Sequence, residues 1–80
     1  MDPRDLQDAF AGNLRRLRRL RRAKGISQED LAYEAGINRS YMSKLEKGAS
    51  YPGLEIIAKL ATVLECDPAE LLRVSGRPNT

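Results

Sequence analysis

Apolar residues return every three or four positions along most of the chain. Leu6, Phe10, Leu14, Leu17 and Leu20 form one series, Leu31 and Ala35 a second, Met42 and Leu45 a third, and Leu54, Ile57, Ala58, Leu60, Ala61 and Leu64 a fourth. The first three series each fall on one side of a 3.6-residue helix, which predicts amphipathic helices, and the fourth is strongly apolar, as a central core helix would be; no run of β-branched or aromatic residues suggests a strand. The punctuation agrees. Asp2 and Pro3 suit the cap and first turn of the first helix. Gly12 weakens its interior, leaving open a kink or a separate short helix before Asn13. Its end is expected near Lys24-Gly25, with basic residues placed to suit the helix dipole. Ser27 caps a second helix with Glu29 and Asp30 in its first turn, and Gly36 ends it by taking the left-handed conformation at little cost. Ile37 is an apolar plug after the turn, and Asn38 caps a third helix. Gly48 to Gly53 reads as a loop. Asp67-Pro68-Ala69-Glu70 reads as cap, first-turn proline and capping-box acid of a short fifth. Of Leu71, Leu72 and Val74, one faces the core and the others leave apolar surface. Residues 75–80, with Gly76 and Pro78, should fray. The expected fold is all-α, five helices in a single domain over residues 1–80.

The second and third helices form a distinct unit, residues 27–47. Met42 and Leu45 turn inward, while Arg39, Ser40, Ser43, Lys44 and Lys47 make an outer stripe of hydrogen-bond donors. Two short helices, a tight turn and one positive outer face suggest a helix-turn-helix.

This unit resembles the helix-turn-helix of phage repressors and Cro, the xenobiotic-response-element (XRE) family. The resemblance is carried by Gln28, Ala32, Gly36, Ile37, Met42 and Leu45, by GISQEDLA before and SKLEKG after, and by PGLEIIAKLATVLECDPAELL further on. It runs from about Leu14 to Leu72 and implies a five-helix, lambda-repressor-like DNA-binding domain. Met42 departs mildly from the β-branched residue usual in the family.

Composition narrows the function. Eighty residues make one domain, near the size at which a single core barely suffices. One cysteine excludes an intrachain disulfide, and the absence of histidine argues against a zinc site. Cys66 reads as a packing residue. No cofactor or metal is expected, and no apolar run approaches the ~18 residues of a membrane span. The start, MDPRDLQD, lacks the regions of a signal peptide, so a cytoplasmic location is the expectation. The net charge is only +3, but residues 9–28 contain no acid while Arg15, Arg16, Arg18, Arg19, Arg21, Arg22 and Lys24 crowd together. Such a block favours encounter with a polyanion. Each arginine has the plainer reading of a solvated surface, because they spread around the helix and cannot all reach one backbone. An amphipathic membrane-surface helix is the weaker alternative, since the core needs the apolar stripe. An enzyme is not expected: no nucleophile–base pair, phosphate-binding glycine loop or metal-spaced carboxylate cluster is present.

The resemblance also implies roles. Arg39, Ser40, Ser43 and Lys44 would reach base edges; arginine can bind guanine O6 and N7 together, lysine can donate to the same acceptors, and serine is adaptable. Gln28, at a helix N-terminus, would meet a phosphate. Asn38, Tyr41, Lys47, Ser50 and Tyr51 would follow the DNA backbone, with packing an equal option for Tyr41. Arg21 would pair with Glu46 and aim at a phosphate, or else belong to the solvated basic face.

The expected partner is double-stranded DNA, bound by a symmetric homodimer through Leu71, Leu72, Val74 and Leu54, with Tyr51 a further candidate. RNA polymerase is open as a second partner, since a small regulator can touch polymerase or merely block it. Restriction–modification controllers and phage-type repressors are both similar small members. With no sensor domain in the sequence, control would come from protein concentration, dimerisation and operator occupancy. The competing reading is an antitoxin or co-regulator working through protein contacts. RNA binding is disfavoured because Phe10, Tyr33, Tyr41 and Tyr51 form no stacking platform.

Overall fold

A computed structural model describes residues 1–21 and 25–74. Within them are five helices, α1 (Pro3–Leu20), α2 (Gln28–Ala35), α3 (Arg39–Glu46), α4 (Leu54–Leu64) and α5 (Pro68–Leu72), and no strand. The expectation of a frayed tail at 75–80, and the basic residues Arg22 and Lys24, lie outside the described residues.

Local chemistry sets most of the helix ends. Asp2 Oδ1 accepts from the Arg4 backbone N–H at 2.9 Å, Ser27 Oγ from Asp30 at 3.0 Å, and Asp67 Oδ1 from Ala69 at 2.8 Å. Each satisfies a donor that a first turn leaves unpaired. Gly53 gives α4 no side-chain cap. Gly36 closes α2 at φ 72°, and the next N–H, that of Ile37, donates to the Ala32 carbonyl at 2.9 Å. α4 ends in the same way on Glu65, the described non-glycine residue with positive φ (57°).

α1 resolves one open point and departs from expectation at two. It passes Gly12 without a break, because the helix is held by its packing on α3 and α5 rather than by propensity. It stops at Leu20, with Arg21 extended (φ −83°, ψ 153°). The chain then folds back, and the Ile26 N–H donates to the Arg18 carbonyl at 2.9 Å. Gly25 lies in this return at φ 76°, where an added Cβ would come 2.8 Å from the Arg19 carbonyl oxygen. Leu20 consequently lies past the end of the buried stripe and is 67% exposed.

The core forms where α1, α2, α3, α4 and α5 converge. Phe10, Leu14 and Leu17 of α1 meet Leu31, Met42, Leu45, Leu60 and Leu64, with Leu71 closing one end. The face that packs α3 inward is therefore Met42 and Leu45, both fully buried, and its remaining side chains are left for other work. Among the described residues, two polar residues are buried beside the core, Asn13 and Glu46. Asn13 is three residues after Phe10 and four before Leu17, on the apolar stripe, and its Nδ2 donates to the carbonyls of Leu71 (2.9 Å) and Arg73 (2.8 Å). A five-residue helix cannot satisfy its own last carbonyls, and Asn13 does this from α1.

Candidate nucleic-acid interface

α3 is fixed at both ends. Asn38 stays extended, and its Oδ1 accepts from the backbone N–H groups of Ser40 (2.7 Å) and Tyr41 (3.3 Å). At the far end Glu46, the sole acid of α3, turns inward and is 5% exposed. Arg18 grips its carboxylate with both prongs, Nε at 2.5 Å and Nη2 at 3.0 Å, and Gln28 Nε2 donates to it at 3.1 Å. Arg18 Nη1 also donates to the Ile26 carbonyl at 3.2 Å. Several kcal/mol oppose burial of an isolated charge, roughly as much as a two-pronged partner and further hydrogen bonds return. α1, α2 and α3 thus meet on one carboxylate.

The partner of Glu46 is Arg18, not the expected Arg21. Because α1 ends at Leu20, Arg21 leaves the helical face and its Nη2 reaches Glu70 Oε1 of α5 at 2.7 Å. This ties Arg21 to α5 rather than setting it beside α3. It also engages Glu70, expected to close a capping box, with Arg21.

With its acid turned in, α3 leaves Arg39, Ser40 and Lys44 exposed, with Ser43 half-buried between them. Arg39, Ser40 and Ser43 line a shallow concavity with Gln28 from the start of α2. Gln28 carries two amide N–H bonds, and Glu46 takes one. Lys47 is exposed just after the helix, followed by half-buried Ser50 and exposed Tyr51. The half-buried Tyr41 donates its hydroxyl to the Tyr51 carbonyl at 3.2 Å, holding this loop against α3. Of the residues expected at base edges and along phosphates, Gln28, Arg39, Ser40 and Ser43 share this concavity, Tyr51 lines a groove with Leu54 and Leu72, and Arg21 is engaged with α5.

The expected dimer residues separate. Leu71 is fully buried in the monomer and cannot form an interface; it is the member of the Leu71, Leu72, Val74 group that faces the core. Leu72 and Val74 are half-buried, and Leu54 is 83% exposed. An apolar groove lined by Pro3, Leu6, Phe10, Tyr51, Leu54 and Leu72 connects two of them.

Four residues with structural work escaped the sequence reading: Asn13, Gln7, Arg15 and Arg18, the two arginines being expected only at the solvated surface. Asn13 had a signal, a polar residue in a core register. Gln7 and Arg15 had none, because their partners are backbone carbonyls far along the chain. Burial, chiefly, and the acids Glu70 and Asp67 push the Cys66 thiol above its ordinary range against the opposing charge of Arg21, a direction that favours the protonated thiol. Among the described residues no cluster of three or more potential metal ligands occurs, and no helix is long and apolar enough to cross a membrane.

The chain is similar to known proteins in sequence and in fold. Residues 14–74 match the family model described as a helix-turn-helix domain. The transcriptional regulator SlrR of Bacillus subtilis is 38% identical over 56 residues, covering 69% of this chain and 37% of SlrR. The control protein C.BamHI of Bacillus amyloliquefaciens is 36% identical over 58 residues, covering 71% of this chain and 72% of that protein. Among solved structures, the restriction-modification controller protein C.AhdI of Aeromonas hydrophila superposes with a TM-score of 0.73 at 45% identity, over 81% of this chain and 94% of that one. The hypothetical transcription factor NHTF from Neisseria superposes at 0.78 with 37% identity, over 89% and 76%. The chain belongs to the helix-turn-helix family of DNA-binding transcriptional regulators, which are not enzymes.

Proposed function

We propose that the chain is a sequence-specific regulator that binds a palindromic operator as a homodimer, with α3 in the major groove of each half-site. The observation that carries this reading is the outer face of α3: two cations and two hydroxyls face outward on a helix whose acid is turned into the protein. Arg39 and Lys44 read base edges, with Ser40 and Ser43 as adaptable partners. Gln28, Asn38, Tyr41, Lys47, Ser50 and Tyr51 set the register on the phosphates. A helix of this length, roughly 12 Å at 1.5 Å per residue, addresses only a few base pairs, so two copies on half-sites ~34 Å apart supply the discrimination. The apolar groove beside Leu54 is the surface through which they pair. The likeness to two controller proteins, C.BamHI and C.AhdI, supports control of a restriction–modification operon.

Selection of bound sequences from a random duplex pool tests all of this. A palindrome with a fixed half-site spacing is the expected result. Binding without sequence preference would instead favour an antitoxin or co-regulator that acts on a protein partner.

A further inference from the structure

α1 presents three side-chain donors to the end of α3. Arg18 holds the Glu46 carboxylate. Arg15 Nη1 donates to the backbone carbonyl of the same residue, and Gln7 Nε2 donates to the Gly48 carbonyl at 2.8 Å. Successive helical residues turn by about 100°, so positions 7, 15 and 18 share one side of α1. Both carbonyls are acceptors that the terminating α3 leaves without a partner of its own. Gly12 fits the same arrangement: the Arg15 guanidinium lies across it, 3.7 Å from where a Cβ would be.

These contacts differ from phosphate contacts in what they control. Gly48 takes a left-handed conformation (φ 73°) at the point where the chain leaves α3 for the Lys47–Tyr51 loop. Holding the carbonyls of Glu46 and Gly48 fixes the height and pitch of α3 relative to α1. Displacement of a reading helix by even part of an ångström spoils bidentate pairing to a base while leaving long-range attraction to phosphate intact. We infer that Gln7 and Arg15 are positioning residues for base reading, splinting the C-terminal end of α3 to α1. The inference rests on α3 being the reading helix.

The experiment compares wild type with Gln7→Met, Arg15→Met and Arg15→Lys. Affinity for the selected operator and for a scrambled duplex is measured across a salt series, with urea unfolding of each variant to confirm folding. Gln7→Met removes a donor at constant length and charge. It should reduce the operator-to-scrambled ratio about three- to tenfold, the factor that one net hydrogen bond is worth, with the salt slope unchanged. Arg15→Met should do the same, and Arg15→Lys, which keeps a donor of similar reach, should restore the ratio. A salt slope reduced by about one in Arg15→Met would make Arg15 a direct phosphate contact and overturn its assignment. An unaltered ratio in Gln7→Met, with or without a lowered urea midpoint, would make the Gly48 bond purely structural and overturn the proposal. A wild-type protein that prefers no sequence would instead remove the reading-helix premise itself.

Discussion

Arg39 sits in the first turn of α3, exposed and flanked by the concavity that Gln28 helps to line. Arg39→Ala should cost about 1–3 kcal/mol of operator affinity and relax preference at one base position, measured by repeating the duplex selection on the variant. An equal loss on every sequence would make Arg39 a phosphate contact. Glu65 offers a test unrelated to binding. It holds φ 57° at the end of α4, a conformation that costs a residue with a Cβ about 1–2 kcal/mol, while glycine costs roughly 0.5–1 kcal/mol in chain entropy. Glu65→Gly should therefore raise stability by about 0.5–1 kcal/mol in urea unfolding; a loss would mean that the exposed carboxylate has a role of its own. At this scale the sequence was informative wherever the interaction was local. Ser27, Asn38, Asp67 and Gly36 act within three or four residues of themselves, and their types announce it. The partner of Glu46 was not legible. Arg18 and Arg21 are one turn apart, and choosing between them requires knowing that the helix stops at Leu20.

That stop is a property of elements. It goes with the bond from the Ile26 N–H to the Arg18 carbonyl, a contact no local propensity encodes. The same holds for α5. Its apolar residues were visible, but which of Leu71 and Leu72 faced inward depended on Asn13 and on Arg21–Glu70, which together dock the short helix on α1. At the α1–α3 junction, Arg18→Met would leave the buried Glu46 carboxylate with Gln28 as its remaining side-chain partner among the described residues, so it should destabilise the fold by about 3–5 kcal/mol. Replacing both partners with methionine should cost much less, because no charge is then stranded. Chemical denaturation of the single and double variants gives the comparison; equal losses would mean that packing, not charge, dominates there.

For the whole molecule, the tail of α5 carries less exposed surface than its sequence promised. With Leu71 committed to the core, the exposed apolar area shifts to Leu54, Tyr51 and Leu6 around the groove. Leu54 is 83% exposed, so Leu54→Asp should leave monomer stability within about 0.5 kcal/mol. It should nevertheless shift sedimentation toward the monomer and weaken operator binding. An unchanged dimer would move the interface elsewhere. The outward side of α3 has a separate consequence for the molecule. Arg39, Ser40 and Lys44 are exposed, and the bonds that seat the helix come from Asn38, Glu46 and its buried neighbours. Under the proposed reading of α3, these three positions form an interchangeable cassette: new operator preferences could be written into them by mutation without renegotiating the scaffold, so that regulators diverging in target would remain alike in everything that makes them fold.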